Sequence, residues 1–206
     1  MDYIYLVPGN WFELKNINAA KSVPYDIESL TAEILNQVHN RAENLKIIDI
    51  TYGKVYKNIK DEDICFHLNE NKFQKIAEML TTEKRHPIIT FHGTDCLKTV
   101  EAIMNEGYII PGTKKNVRVK NGAVYGKGIY SSPHFDKALA YTRVDDKGCM
   151  YVLINFMLLG IAKMISPQAR EEDNKSVDNR IVFGLDQIIT KDANKIIPVG
   201  YIKMKI

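Results

Sequence analysis

Hydrophobic residues recur at helical spacing in the first part of the chain and gather into short strand-like runs in the last part. Within residues 27–38 the apolar side chains stand three and four positions apart, and Asp26 is placed to cap the first turn of a helix. Residues 45–56 predict a strand, and residues 69–83 again show helical spacing. The first part of the chain is therefore predicted to fold as helix, strand and helix.

A strand and a helix are predicted around the stretch FHGT, which ends at Thr94. Residues 88–91 form an apolar run that predicts the strand, and His92 and Gly93 predict a sharp turn directly after it. The helix that follows has Asp95 as its expected N-cap. We expect it to end at Gly107, because glycine is favoured just past the last turn of a helix.

Residues 111–127 combine proline, glycines and cations, a composition that predicts an exposed loop. The sequence GIYSS comes next and predicts a short strand. Ser132 and Pro133 then predict the start of another helix, because serine is a good N-cap and proline suits the first helical position. Ala138 and Tyr141 are three residues apart, so we expect them to share one face of that helix.

The run at residues 149–158 predicts a central strand, with Cys149 as a small buried hydrophobe. Residues 166–180 are polar and predict a loop. The last predicted strand alternates partly between apolar and polar residues, which favours a place at the edge of a sheet. The late strands are predicted at residues 181–184, 187–190 and 197–206. Helices that come early and strands that accumulate late favour an α+β fold over a doubly wound sheet.

Composition sets further limits on the class of protein. A chain of 206 residues is long enough for one domain with a sizeable core, and a net charge of +3 gives little support for a nucleic-acid partner. Three widely spaced cysteines lack the spacing of zinc ligands and fit a reducing compartment, so we expect no metal. The N-terminus lacks a signal-peptide pattern, and the longest apolar run is too short to span a membrane. We therefore expect an intracellular protein, cytoplasmic or nuclear, with no membrane partner.

Two stretches carry the candidate chemistry. The first is His92-Gly93, where a histidine follows a strand and a glycine allows close approach of a ligand to the backbone. The second is the sequence GKGIYSS, which contains Tyr130 and is followed eleven residues later by Tyr141. One imidazole, two phenol rings and bare glycine amides suit a pocket for a flat aromatic ligand.

Each of these residues also has a purely structural interpretation. A single histidine such as His92 is more often a core residue with its hydrogen bonds satisfied, and two tyrosines are ordinarily core aromatics. Lys127 lies between two glycines and is equally well explained as a phosphate ligand or as a solvated loop residue. His134 is expected to be exposed, and His39, His67 and His86 are interpreted as surface residues.

The order FHGT, YGKGIYSS and Tyr141 resembles the catalytic domain of the poly(ADP-ribose) polymerase family, the diphtheria-toxin-like ADP-ribosyltransferases. The segment NRIVFGLDQII near the C-terminus is similar to the family's last conserved strand. The resemblance covers residues 88–206 strongly and residues 25–85 only through the order of their elements. It implies an α+β ADP-ribosyltransferase fold, in which mixed and antiparallel sheets form a split NAD-binding core with a helical N-terminal part. We expect one domain over residues 1–206, with residues 1–25 as a flank of unknown role.

The resemblance implies NAD as the substrate and no metal. His92 would bind the adenosine-side ribose, and the backbone of Gly93 would hold the nicotinamide carboxamide beside Thr94. Tyr141 would stack on the nicotinamide ring, and Tyr130 would cover its other side. Displacement of neutral nicotinamide from a cationic ring needs little acid–base chemistry, so catalysis would depend on positioning and on electrostatic stabilisation of the ribosyl cation.

This sequence departs from the family pattern at two positions. Ala138 stands where a serine usually helps to hold the carboxamide, which removes one hydrogen bond worth roughly 1 kcal/mol. Asn179 stands where chain-elongating members have the catalytic glutamate, so the position carries no charge. Asp178 precedes it and would face the other side of the strand. The expected catalytic set is His92, Tyr130 and Asn179, and the lost glutamate favours transfer of a single ADP-ribose unit.

Three functions are compatible with these residues. The first is a mono-ADP-ribosyltransferase that modifies protein side chains, including those of the protein itself. The second is an NAD-binding pseudo-transferase that binds without transfer. The loss of both the serine and the glutamate favours it, and the retained His92, Tyr130 and Tyr141 oppose it. The third is transfer to nucleic-acid ends, for which residues 114–120 could supply phosphate contacts and which the weak basicity makes the least supported.

Overall fold

The computed structural model describes residues 64–69, 72, 88–111, 124–158, 162–168, 178–182 and 187–205. Two four-stranded sheets lie within these residues, with strand orders β1-β8-β4-β2 and β3-β7-β6-β5. The strands are β1 (Ile64–Leu68), β2 (Ile88–Thr94), β3 (Ile129–Ser131), β4 (Cys149–Met157), β5 (Ala162–Ile165), β6 (Asn179–Val182), β7 (Gln187–Thr190) and β8 (Ile196–Lys205). The helices are α1 (Leu97–Glu106), α2 (Phe135–Leu139) and a 3-10 turn, Ala193–Lys195.

The first sheet is antiparallel and is built around β4. All nine residues of β4 are buried, which agrees with the prediction of a central strand and with Cys149 as a buried hydrophobe. An almost unbroken apolar run is what a strand needs when both of its faces are covered. The strand predicted at residues 88–91 is also confirmed, but β2 continues to Thr94. The turn predicted at His92 and Gly93 is therefore wrong, because both residues still pair with β4.

The last strand lies in the interior of the first sheet, so its predicted place at a sheet edge is wrong. β8 pairs with β4 on one side and with β1, which the sequence pattern did not reveal, on the other. Pro198 is unusual in an interior strand because it cannot donate a backbone hydrogen bond. The structure accommodates it at a register shift, where Ile154 pairs with Gly200 and Asn155 pairs with Pro198. A bulge leaves one residue out of the ladder, so an interior strand can accept proline there.

Helix α1 confirms the predicted helix after FHGT, with one difference at its start. Val100 is buried in the core and Gly107 ends the helix with a φ of 82°, as expected for a glycine stop. The N-cap residue is Cys96 and not Asp95. The Asp95 carboxylate instead accepts a hydrogen bond from the Thr99 hydroxyl at 3.0 Å.

Helix α2 is shorter than its sequence pattern suggests. It ends at Leu139, so Tyr141 lies in the turn after the helix and the shared helical face predicted for it is wrong. The Ser132 side chain accepts a hydrogen bond from the His134 backbone N–H at 3.0 Å, and His134 itself is the N-cap residue. His134 is buried and not exposed as predicted, because α2 packs closely onto the first sheet.

The second sheet is mixed, because β5 and β6 run parallel while its other pairs are antiparallel. The short strand β3 and the strand β7 confirm their predictions. β5 was not predicted. β6 begins at Asn179, two residues inside the predicted loop at 166–180, because its pairing with β5 and β7 extends the strand backwards.

Two apolar clusters cover the two faces of the first sheet. On one face, Phe91 packs against Phe135 of α2, with ring centroids 5.7 Å apart and nearly perpendicular planes. On the other face, Leu153 belongs to a cluster that includes Val100 of α1 and Ile181 and Ile188 of the second sheet. The second sheet therefore packs with one face against the first, and its other face carries the smaller cluster of Tyr125, Val182 and Ile189.

Several predictions concern residues that the structure does not describe. They include the helices at 27–38 and 69–83, the strand at 45–56, His39, His86 and most of the two predicted loops. His67 is exposed, as expected for a surface histidine. No helix among the described residues is long and apolar enough to cross a membrane.

Replacing Phe135 tests the packing of α2. We expect Phe135→Ala to lower the free energy of unfolding by about 3–5 kcal/mol, because it removes a fully buried ring that contacts Phe91. Phe135→Leu should cost clearly less because it leaves a smaller cavity. Urea denaturation measures both, and Val144→Ala at an exposed position is the control, expected to change stability by less than about 0.5 kcal/mol. Equal effects of Phe135→Ala and Val144→Ala would show that α2 does not pack as described.

Candidate functional site

Within the residues that the structure describes, one backbone bridge joins the two sheets. Phe91 N–H donates to the Ser132 carbonyl at 2.6 Å, and Ser132 N–H donates to the Phe91 carbonyl at 2.9 Å. This antiparallel bridge links β2 at the edge of the first sheet to the residue that follows β3. If the pairing continued for two more residues, Gly93 would lie opposite Tyr130.

The pairing does not continue, and the strands separate at Gly93 and Tyr130. The bond that spans the separation comes from a side chain: His92 Nδ1 lies 2.6 Å from the Tyr130 carbonyl oxygen. A carbonyl only accepts, so Nδ1 carries the proton. The neutral imidazole then presents Nε2 as an acceptor.

Burial lowers the pKa of His92 below its ordinary value of 6.5, and the hydrogen bond to Tyr130 opposes that change to a smaller degree. The ring is also held by Tyr108, whose ring centroid is 5.3 Å away at an interplanar angle of 82°. His92 is thus neutral at physiological pH, and its side chain is fixed from two sides.

Gly93 presents its backbone to the opening between the strands. Phe91 directs its N–H and C=O away from β4 and toward Ser132. Backbone groups two residues apart on a strand point the same way, so Gly93 directs its N–H and C=O to the same open edge. No described residue bonds them. This pair, one donor beside one acceptor, matches the two groups of a carboxamide.

Close packing against α2 is a second reason for a glycine at position 93. A Cβ there would collide with the backbone carbonyl of Ala138 in α2. Ala138 is itself buried in the cluster around Phe91. Thr94, the next residue, is buried, and its hydroxyl lies 3.5 Å from the Asp95 carboxylate. The close approach of α2 to β2 therefore requires glycine whether or not a ligand is bound.

Tyr130 is fixed on the outer face of the second sheet. Its hydroxyl donates to the Gly126 carbonyl at 2.8 Å and accepts from the Tyr125 N–H at 3.1 Å. Its ring packs with Ile189 and the rest of the smaller cluster. These contacts tie the phenol to the end of the loop that precedes β3.

Tyr141 reaches the same face of the second sheet through its hydroxyl, which accepts a hydrogen bond from Gln187 Nε2 at 2.7 Å. Gln187 pairs with Val182, and Ile189 two residues later pairs with Tyr130, so all four side chains share one face. Tyr141 is 47% exposed, so part of this residue is accessible to a ligand. The two tyrosines thus lie on one face, as a pocket with two aromatic walls requires.

Asn179 lies on the opposite face of the second sheet and is fully buried. Its Oδ1 accepts from the Thr190 hydroxyl at 2.6 Å, and its Nδ2 donates to the Leu158 carbonyl at 3.4 Å. Asp178 is directed elsewhere and forms a salt bridge with Lys195 at 3.4 Å. The structure therefore groups His92, Gly93 and Tyr130 but commits the amide of Asn179 to contacts within the core.

Three residues of this region escaped the sequence analysis. Tyr108 contacts His92, Asn155 binds Tyr108, and Gln187 binds Tyr141. Asn155 offered the one available signal, since it is a polar residue inside an apolar strand. Within the part of the chain that the structure describes, no cluster of three potential metal ligands occurs.

Comparisons with known proteins bear on this geometry. A family model described as "Poly(ADP-ribose) polymerase catalytic domain" matches residues 26–201. Among solved structures, the chain is similar to the PARP domain of Arabidopsis RADICAL-INDUCED CELL DEATH1, with a TM-score of 0.52 and 14% identity over 81% of this chain and 97% of that chain. A search of curated proteins gives no match. At this identity the structural match speaks for the fold alone.

The clash at Gly93 generates a stability prediction. We expect Gly93→Ala to lower the free energy of unfolding by about 1–3 kcal/mol, because the new methyl group would meet the backbone of Ala138 and a backbone cannot rotate away. Urea denaturation measures the change. Adding Thr142→Ser, which shortens the neighbouring side chain, should not restore stability. Full recovery in that double variant would contradict the backbone clash.

The lowered pKa of His92 predicts how stability changes with pH. Between its folded pKa and about 6.5, the unfolded chain binds a proton that the folded chain does not, so stability is lost as pH falls through this window. We expect unfolding free energies measured from about pH 7.5 to about pH 5.5 to decline, and the decline to be shallower in His92→Gln. An unchanged slope in His92→Gln would show that burial of this imidazole does not oppose its protonation.

Proposed function

Because the chain belongs to the poly(ADP-ribose) polymerase catalytic-domain family, we propose that it is an NAD-dependent mono-ADP-ribosyltransferase that transfers one ADP-ribose unit to protein side chains, its own included. The observation that carries this proposal is the opening between β2 and β3. There, the N–H and C=O of Gly93 face away from β4 beside Tyr130.

In the proposed complex the nicotinamide carboxamide binds the Gly93 backbone, its oxygen accepting from N–H and its NH₂ donating to C=O. The pyridinium ring lies against Tyr130 and Tyr141, which share one face of the second sheet. Flat rings gain about 0.5–1.5 kcal/mol from such aromatic contacts beyond simple burial. The bond from His92 to Tyr130 leaves Nε2 as an acceptor for a ribose hydroxyl.

The proposed reaction breaks the bond between ribose C1′ and the nicotinamide nitrogen, and the bonding electrons remain on that nitrogen. Nicotinamide leaves neutral, and the positive charge passes to an oxocarbenium-like ribose. An acceptor oxygen then attacks C1′; a hydroxyl acceptor releases its proton to solvent, whereas a carboxylate has none to release. No step requires an enzyme base, so orienting NAD is the main contribution of the site.

Position 179 supports transfer of a single unit. Asparagine carries no charge that could activate a ribose hydroxyl for chain growth. Its amide is moreover engaged by Thr190 and Leu158 on the side of the sheet away from Tyr130. An acceptor carboxylate would approach the ribosyl cation without help from this residue and would itself stabilise the developing charge.

The same observation at Asn179 favours a second candidate, an NAD-binding module without transferase activity. A protein of this kind would keep the contacts of Gly93, Tyr130 and Tyr141 and would bind NAD without releasing nicotinamide. The retained tyrosines are compatible with both candidates, so turnover decides between them. Measuring turnover also shows whether there is an acceptor, because a transferase would modify proteins and a binding module would modify nothing.

Incubation with labelled NAD separates the two candidates. We expect release of nicotinamide together with protein that carries single labelled ADP-ribose units. Tyr130→Ala should reduce both signals by about tenfold or more, because it removes one aromatic wall of the nicotinamide site. Tyr130→Phe is the matched control, since it keeps the ring and loses only the hydroxyl bonded to Gly126. Calorimetric NAD binding without release would establish the binding module, and long label ladders would refute transfer of a single unit.

Asn179→Ala belongs in the same experiment. Because the amide is buried and bonded within the core, we expect a loss of stability of about 1–3 kcal/mol and a change in nicotinamide release of less than about threefold. Loss of release with unchanged NAD binding and stability would instead assign Asn179 a catalytic role.

A further inference from the structure

The central strand β4 contains one polar side chain that apolar packing does not explain. Asn155 is fully buried in a run that otherwise reads as continuous core. It stands where the register of β4 against β8 shifts. A buried amide costs free energy unless its hydrogen bonds are made, so a leucine here would be the simpler choice.

The hydrogen bonds of Asn155 lead to Tyr108. The Tyr108 hydroxyl donates to Asn155 Oδ1 at 2.8 Å, and Asn155 Nδ2 donates to the Thr90 carbonyl at 3.3 Å. Burial raises the pKa of Tyr108, so its hydroxyl stays protonated and remains a donor. Both polar groups thereby have hydrogen-bond partners within the protein.

The ring of Tyr108 in turn contacts His92 in an edge-to-face arrangement, with centroids 5.3 Å apart. Thr90 and His92 belong to the same strand, two residues apart. The contacts therefore begin and end on β2. Asn155 bonds to Thr90 of β2 and to the Tyr108 hydroxyl, and the Tyr108 ring contacts His92, which also belongs to β2. The imidazole also forms the hydrogen bond to the Tyr130 carbonyl, at 2.6 Å.

We propose that Tyr108 and Asn155 are positioning residues for His92, which keep its imidazole in the plane that binds the Tyr130 carbonyl. They fix the tautomer with the proton on Nδ1 and leave Nε2 as an acceptor at the opening between β2 and β3. The role assigned to Nε2, binding a ribose hydroxyl of NAD, rests on the proposed function. The positioning itself does not.

A purely apolar pair would fill the same volume. Phenylalanine at 108 and leucine at 155 would pack without buried polar atoms, but nothing would then fix the rotation of the ring at 108. A hydroxyl bonded to a side chain on an interior strand sets that rotation. The polar pair thus makes the orientation of a second side chain specific, at the cost of burying two polar groups.

The test uses the whole chain with ¹⁵N-labelled histidine. Long-range ¹H–¹⁵N spectra report which imidazole nitrogen carries the proton, and calorimetry reports NAD affinity. In the unsubstituted protein we expect His92 to be in the Nδ1–H form. In Tyr108→Leu, which removes the ring, we expect a mixture of tautomers and NAD binding weaker by roughly tenfold, the size of one aromatic contact.

Tyr108→Phe keeps the ring and removes only its anchor. We expect an intermediate result, with a minor Nε2–H form and NAD binding about threefold weaker, consistent with a ring contact that is retained but less ordered. The matched control is Tyr151→Phe. Tyr151 is another buried tyrosine of the same cluster and loses a hydroxyl bond to the half-buried Asp145 at 2.9 Å, but it is not part of the contacts that join Asn155, Tyr108 and His92. It should leave the tautomer unchanged.

Each outcome decides the proposal. An Nδ1–H tautomer retained in both Tyr108 variants overturns it, and so does an equal tautomer change in Tyr151→Phe. If Tyr108→Leu does not fold, Tyr108→Phe decides alone by the same criterion. If the unsubstituted protein does not bind NAD while the tautomer still changes in the Tyr108 variants, the positioning stands and the proposed function fails.

Discussion

Among the described residues, one pair of backbone hydrogen bonds, between Phe91 and Ser132, links the edge of the first sheet to the end of β3 in the second. Phe91 precedes His92, and Ser132 lies two residues after Tyr130. The bridge therefore fixes the distance between β2 and β3 beside the opening at Gly93 and Tyr130. One further pair of the same kind would close the opening by joining Gly93 to Tyr130. The Tyr130 carbonyl that a continued ladder would use instead accepts a hydrogen bond from the His92 side chain.

The groups that the site offers to a ligand are therefore backbone atoms, ring surfaces and one imidazole. The imidazole is neutral because burial lowers the pKa of His92. The donor and the acceptor that match a carboxamide are the backbone N–H and C=O of Gly93. The two tyrosines offer ring surfaces, and their hydroxyls are bonded to Gly126 and Gln187. Such a site is suited to hold a ligand in one orientation. It suits a reaction whose leaving group departs neutral, and it equally suits binding alone, which is why turnover is the informative measurement.

Because side chains alternate along a strand, one face of the second sheet borders the candidate site and the other belongs to the core. One face carries Tyr130 and Gln187 and borders the candidate site. The other carries Asn179 and Thr190, whose side chains bond each other within the core shared with the first sheet. A one-residue change of register in β6 would exchange these faces. The parallel pairing with β5 and the antiparallel pairing with β7 hold the register and with it the buried position of Asn179.

The sequence by itself determined the strands whose residues are continuously apolar, the helix that ends at Gly107 and the identity of the motif residues His92, Gly93, Tyr130 and Tyr141. These follow from local patterns, since helical spacing, β-branched runs and glycine stops act within a few residues. Tertiary structure alone decided the rest. The interior place of β8, the five-residue length of α2 and the burial of His134 depend on partners distant in the chain. The same holds for Tyr108 and Asn155, because a contact across 47 positions leaves no periodic trace in the sequence and exists only once the strands have paired.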